Sequence, residues 1–200
     1  MHFCMNTASQ EIAATAARMV VEEGLEYGPA KRRAVKQLGL SPRTPLPSND
    51  SIEAEVRDYL ALFCADTQPQ ELLALRQLAA VWMARLSEFR PHLGGAVWRG
   101  TATRLSNIYL QLFCDDPKSA EIKLIDHNVR YEVGSVQGFH GDLVDALCVS
   151  SRCTELGETV AIYLMVYDLD DLRGALKPDA LGLSYRGDLA ALKRLLKEDV

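Results

Sequence analysis

The residue types best suited to chemistry lie in the segment 95–110, where two glycines precede an alternating apolar and polar stretch. A glycine turn lets backbone N–H groups approach phosphate oxygens closely. A strand after such a turn can present side chains i and i+2 on one face, and two carboxylates spaced in this way can hold Mg²⁺ and activate an attacking oxygen. The segment has Gly95 and Gly100, then Ser106, and then a stretch typical of a strand.

The two carboxylates that this chemistry needs are missing from the segment. Asn107 is a neutral amide and a weaker metal ligand, and Tyr109 stays protonated at neutral pH. We therefore expect no tight Mg²⁺ site at these two positions and no certain cofactor. Asp142 and Asp145 lie in or beside a later apolar stretch and are weaker candidates for metal ligands. Mg²⁺ is expected only if these acids take part.

In form, the segment resembles the signature of the polymerase-β-like nucleotidyltransferase superfamily, in which Gly-Ser and a short spacer precede Asp-x-Asp on a strand. Ala96 stands where that family has serine, and Asn107 and Tyr109 stand where it has the two aspartates. The resemblance covers roughly residues 93–167. It implies a nucleotidyltransferase-like fold that has lost nucleotidyl transfer and acts by binding a nucleotide or a protein partner. The candidate nucleotide-binding residues that it implies are Gly95, Ala96, Gly100, Ser106, Asn107 and Tyr109.

The whole chain is also similar to a family of proteobacterial proteins of about the same length, some of which carry the label UDP-N-acetylmuramate–alanine ligase. The stretches that carry this similarity are residues 22–27, 30–34, 100–103 and 170–176. The sequence gives that label no support, since it contains no glycine-rich phosphate loop ending in Gly-Lys-Ser or Gly-Lys-Thr. The usual form of this family has Ser-Asp at 106–107, so Asn107 departs from it.

Two other functions stay open from the sequence. An active metal-dependent transferase would need Asp142 or Asp145 to complete a metal site with Asn107, which is a ligand geometry unlike two acids on one strand. A pure interaction module would use the sheet only as a scaffold for a protein partner. The sequence favours a protein without enzymatic activity, and Mg²⁺-dependent nucleotide binding separates these possibilities.

The hydrophobic periodicity divides the chain into a helical half and a sheet half. Apolar side chains recur with helical spacing as far as the stretch before Pro91, and the period then changes to two. Predicted helices cover residues 7–24, 30–38, 50–63, 67–86, 118–127, 170–176 and 189–196. Predicted strands cover residues 107–114, 130–136, 143–149 and 159–167. We therefore predict an α+β fold, with a helical domain at 1–90 and a mixed sheet flanked by helices at 91–200.

Composition and charge argue against several classes of protein. The formal net charge is −5, so the chain has no general attraction for nucleic acid or anionic membranes. Its five cysteines are scattered and include no Cys-x-x-Cys pair, which argues against a disulfide framework and a zinc site. The first residues lack the basic start and apolar core of a signal peptide, and the chain has no apolar run of about 18 residues that would span a membrane. We expect a cytoplasmic protein.

Overall fold

The structure is a computed structural model that describes residues 2–138, 143–176 and 184–198. The chain forms two compact units, Met1–Pro69 and Gln70–Val200. The sequence predicts a domain boundary at residue 90, with the fourth helix among the N-terminal helices. In the structure this helix lies almost wholly in the second unit, because its apolar side chains pack into the core of the sheet.

The first unit contains the helices α1 (His2–Glu23), α2 (Tyr27–Gln37) and α3 (Asn49–Phe63). Their shared core is formed by buried apolar side chains, among them Ile12, Ala16, Met19, Ala34, Ile52 and Val56. Helix α3 begins one residue before the predicted start because Ser48 caps it, and the hydroxyl of this serine accepts a hydrogen bond from the Ser51 N–H at 3.0 Å.

The second unit consists of a six-stranded mixed sheet flanked by helices. Its helices are α4 (Gln68–Arg85), α5 (Gly95–Arg99), α6 (Lys118–Asp126), α7 (Leu172–Ala175) and α8 (Leu189–Glu198). Its strands are β1 (His92–Gly94), β2 (Ile108–Cys114), β3 (Tyr131–Gln137), β4 (Leu143–Cys153), β5 (Glu158–Asp168) and β6 (Arg186–Asp188). The strand order is β3-β4-β5-β2-β1-β6, with β2 and β5 parallel and the other neighbours antiparallel.

The two faces of the sheet have different surroundings. One face, which we call the helix-covered face, presents Ile108, Leu110 and Leu112 to a core shared with α4, α5, α6 and α8. Side chains alternate between the faces along a strand, so Tyr109, Gln111 and Phe113 point the other way. At the end where Phe113 lies, this second face packs against residues of α7 and the turn before it. We call the second face the polar–aromatic face.

The α+β fold is confirmed. Residues 107–114 are predicted to form a central strand beside 159–167 or 143–149, and in the structure β2 is a central strand that pairs with β5 and not with β4. The sequence did not predict the short strands β1 and β6, the short helix α5 or the 3-10 turn Ser87–Phe89. Strands of three residues are too short for a period of two to be visible, and α5 is little more than one turn. Across the described residues, no helix combines the length and apolar character needed to cross a bilayer.

Candidate functional site

The connection between β1 and α5 brings the glycine turn against the central strand. Gly94 pairs with Tyr109 across β1 and β2, and Gly95 begins α5 with a positive φ of 65°. A Cβ at Gly95 would lie 3.3 Å from Cδ2 of Tyr109. Glycine is needed here because a side chain would meet both an unfavourable φ and the tyrosine ring. The turn and Tyr109 therefore meet on the polar–aromatic face.

Two of the other candidate positions serve the architecture of α5. Gly100 ends this helix with a positive φ of 83°, and the Thr101 N–H donates to the carbonyl oxygen of Ala96 at 3.0 Å. This is the arrangement of a glycine C-cap, which satisfies carbonyl groups that have no partner within the helix. The backbone of Ala96 and Gly100 is thus used locally, and the Ala96 side chain packs against the core of the sheet.

A buried arginine of α4 completes the cap of α5. The Nε–H of Arg76 donates to the carbonyl oxygen of Val97 at 3.1 Å, and its Nη2 donates to that of Trp98 at 3.3 Å. Only 5% of Arg76 is exposed. Its positive charge at the C-terminal end of α5 also suits the helix dipole. Arg76 therefore fixes the segment that follows the glycine turn.

The loop before β2 contains the next two candidate positions. The Ser106 hydroxyl accepts a hydrogen bond from the Thr103 N–H at 3.0 Å, and the Ser106 N–H donates to the Thr103 carbonyl at 2.8 Å. Ser106 therefore closes a tight turn and its hydroxyl has a structural partner. Asn107 is half-buried and directly precedes β2, two residues before Tyr109.

Tyr109 forms the centre of that face. Its ring stacks on Tyr163 of β5, with ring centroids 5.2 Å apart and the planes inclined by 14°. Gln111 follows Tyr109 on the same face and is 8% exposed, and its Oε1 has no hydrogen-bond partner within the described part of the chain. A buried amide oxygen without a partner is energetically costly.

Strands β1 and β6 bring two basic residues to the same face. Arg186 pairs with Gly94 and is half-buried, and its positive charge acts on His92 and Tyr167 of the same face. His92 pairs with Gln111 and packs its ring edge-on against Phe113, with centroids 5.5 Å apart. The Nδ1 of His92 lies 2.8 Å from the carbonyl oxygen of Arg90. Because a carbonyl can only accept, we assign the proton to Nδ1.

Burial lowers the pKa of His92 below that of a free histidine. The unfolded chain takes up a proton here near pH ~6.5, whereas the folded chain takes it up only at a lower pH. Because of His92, the free energy of unfolding should decrease as the pH falls below the pKa that this histidine has in the unfolded chain. The decrease should end once the pH is below its pKa in the folded chain. We expect the His92→Gln variant to show a flatter dependence of its urea midpoint on pH between about 7.5 and 5.

The histidine prediction can be followed by intrinsic fluorescence, since Trp82 and Trp98 are the two tryptophans of the chain and both lie in the second unit. The matched control is His127→Gln, which changes an exposed histidine of that unit. Equal pH dependence of the wild-type and His92→Gln midpoints would contradict the assigned role of His92.

The proposed metal ligands do not gather around Tyr109 in the described residues. Asp145 pairs with Ser135 and lies two residues before Leu147 in β4, so the two side chains share a face. Leu147 lies in the core under the helices, and Asp145 therefore belongs to the helix-covered side. There its charge raises the pKa of Lys118, although the first cause of that shift is Glu121. Asp142 lies outside the described residues. In the ranges that the structure describes, no group of three or more His, Cys, Asp or Glu side chains is arranged to hold a metal ion.

Comparison with known proteins gives no indication of function, so the function must be inferred from the geometry of the site. The chain matches no protein-family model, no curated protein and no solved structure. The resemblance to nucleotidyltransferases therefore stays a prediction, and the site must be interpreted from its own residues.

Sequence reasoning missed four residues of this face. Strand alternation from Tyr109 could have found Gln111, and the strong alternation of 159–167 could have found Tyr163 as an outward residue. His92 and Arg186 gave no such signal because they lie in three-residue strands.

Proposed function

We propose that the chain is a nucleotidyltransferase-like protein that binds a nucleotide on the polar–aromatic face and does not transfer its nucleotidyl group. The observation that carries this proposal is the placement of the glycine turn, the stacked Tyr109–Tyr163 pair and Arg186 on one face of the sheet. The order β1, glycine turn, short helix, β2 supports the same interpretation.

Each part of the face suits one part of a nucleotide. The backbone of the glycine turn and the Arg186 guanidinium group are suited to phosphate oxygens, since arginine presents several N–H donors in a fixed plane. The tyrosine pair offers an aromatic surface, and stacking of one base on such a surface contributes about 1–3 kcal/mol.

The same face argues against phosphoryl chemistry. Two-metal catalysis stabilises both the attacking and the leaving oxygen through carboxylate-held ions. Asn107 and Tyr109 supply one neutral amide and one phenol at the two positions where the resemblance expects acids. An active transferase, the first alternative, would therefore need acids from elsewhere in the chain. An interaction module, the second alternative, would bind no nucleotide.

We expect ATP, GTP, CTP or UTP to bind saturably by titration calorimetry in the presence of EDTA. The Tyr109→Ser variant should weaken that binding about tenfold, because it removes the base-stacking surface. The matched control is Tyr59→Ser, which alters a tyrosine of the first unit that also packs against another aromatic ring, Phe63. Melting temperatures of both variants separate loss of binding from loss of fold.

Failure to detect binding of any of the four nucleotides would overturn this proposal and favour the interaction module. Release of pyrophosphate from a nucleotide in the presence of Mg²⁺ and an acceptor would overturn the loss of transfer activity. Equal weakening by Tyr109→Ser and Tyr59→Ser would show that the tyrosine pair on the sheet is not the binding surface.

A further inference from the structure

The C-terminal part of β4 has an open edge. Strand β3 pairs with β4 only from Leu143 to Val149, whereas β5 pairs with β4 as far as Cys153. Residues 150–153 therefore have a neighbouring strand on one side and no described strand on the other. In an antiparallel pair, alternate residues direct their N–H and C=O groups away from the partner. This edge thus presents backbone donors and acceptors that another extended chain can use.

An open groove of about 990 Å³ lies along this edge. It is bounded by the end of α4, by the residues that lead into β3 and by the end of β4. Three arginines line it, Arg85, Arg130 and Arg152, together with a single carboxylate, Glu132. Within the described residues, no ion pair involves any of the three arginines. The groove is locally positive on a chain whose net charge is −5.

The arginines lie on both sides of the strand edge. Cys153 points into the core under the helices, so the alternation of β4 places Ser151 on that side and Arg152 on the other. Trp82 donates from Nε1 to the Ser151 hydroxyl at 3.0 Å. Arg85 stacks on the Trp82 ring, with its Cζ 5.3 Å from the ring centroid, so Arg85 is held on the same side as Ser151.

We propose that this groove binds an extended acidic peptide segment of a partner protein, which adds to β4 at residues 150–153 as a further strand. Backbone hydrogen bonds along the edge provide the common part of the affinity, and the arginines provide selectivity. Adjacent residues of an extended segment point to opposite faces. A pair of consecutive acidic residues would therefore place one carboxylate near Arg85 and the other near Arg152. This surface is separate from the polar–aromatic face and does not depend on nucleotide binding.

The test uses fluorescence anisotropy with three labelled peptides of the same length, Val-Thr-Glu-Glu-Thr-Val and its Gln-Gln and Lys-Lys counterparts. A fourth peptide carries the Glu-Glu sequence with alternate backbone nitrogens methylated, which removes strand hydrogen bonding and keeps the charge. We expect the Glu-Glu peptide to bind at least tenfold more tightly than the other three at low ionic strength. Added salt should weaken the binding, since exposed charges are screened.

Protein variants locate the binding site. Arg85→Gln and Arg152→Gln should each weaken binding of the Glu-Glu peptide about fivefold, and the variant that combines both with Arg130→Gln should abolish it at the same peptide concentration. The control is Arg194→Gln, which changes an exposed arginine of α8 outside the groove. All of these arginines are exposed, so the variants should keep the wild-type melting temperature within a few degrees.

Five results would overturn the proposal, and the first four concern the peptides and the variants. The Glu-Glu peptide could fail to show saturable binding at millimolar concentration. The Gln-Gln peptide or the N-methylated peptide could bind as tightly as the Glu-Glu peptide. Arg194→Gln could weaken binding as much as the substitutions in the groove. Equal binding of the N-methylated peptide would show attraction of charge without strand addition. Displacement of the Glu-Glu peptide by inorganic tripolyphosphate at equal concentration would likewise favour a simple anion site.

Discussion

The Arg76→Met variant is expected to unfold at a much lower urea concentration than the wild-type chain. Methionine keeps most of the length of the side chain but removes the donors to the carbonyl oxygens of Val97 and Trp98. Both carbonyl groups belong to the last residues of α5. Arg76 is almost fully buried, so water does not replace the lost hydrogen bonds. A hydrogen bond from a charged donor contributes about 1.5–3 kcal/mol, and an acceptor left without a partner adds its own cost.

The expected loss is about 3 kcal/mol, which corresponds to a shift of about 1.5 M in the urea midpoint if the slope is about 2 kcal/mol per M. Fluorescence of Trp82 and Trp98 reports this transition, because both lie in the second unit. The control is Arg194→Met, which removes an exposed arginine of α8 and should change the free energy of unfolding by less than about 0.5 kcal/mol. Similar midpoints for the two variants would show that the cap contributes nothing.

The sequence predicts the regular elements of the second unit better than their junctions. Strands β2 and β5 carry long alternating patterns, and the buried set Ile108, Leu110 and Leu112 follows directly from that alternation. Arg76 is different. An arginine in a helix predicts a solvent-facing side chain, and only the position of the end of α5 in three dimensions explains its burial.

In the candidate site, too, features within one strand were predictable from the sequence and contacts between distant strands were not. The i and i+2 relation of Asn107 and Tyr109 was visible in the sequence, and the structure places Tyr109 on the polar–aromatic face. The pairing of Gly94 with Arg186 was not visible, because it joins two three-residue strands that are far apart in the sequence. Side-chain alternation is a local property, whereas strand order depends on contacts that a single sequence does not display.

The contact between β6 and α5 leads to the second large expected effect. A Cβ at Gly187 would lie 2.1 Å from Cη2 of Trp98 and 2.3 Å from its Cζ3, which is far inside van der Waals contact. The indole is held in place, since its Nε1 donates to the Ser184 carbonyl oxygen at 2.8 Å. Gly187→Ala must therefore displace the ring or the strand. We expect a loss of about 3 kcal/mol, at the upper end of the range for overpacked sites.

A double-mutant cycle tests whether the indole is the cause. Trp98→Leu alone should destabilise the second unit, because it removes a large side chain packed against the core. Once the ring is gone, Gly187→Ala should cost less than about 0.5 kcal/mol, which gives a coupling energy of at least about 2 kcal/mol. Trp82 remains as the fluorescent reporter of unfolding in every variant.

Gly134→Ala is the matched control, since a Cβ at that strand glycine would meet only the Ala146 carbonyl oxygen, at 4.0 Å. If Gly187→Ala and Gly134→Ala have the same effect, or if the two changes at Gly187 and Trp98 are additive, the ring does not set the requirement for glycine at this position.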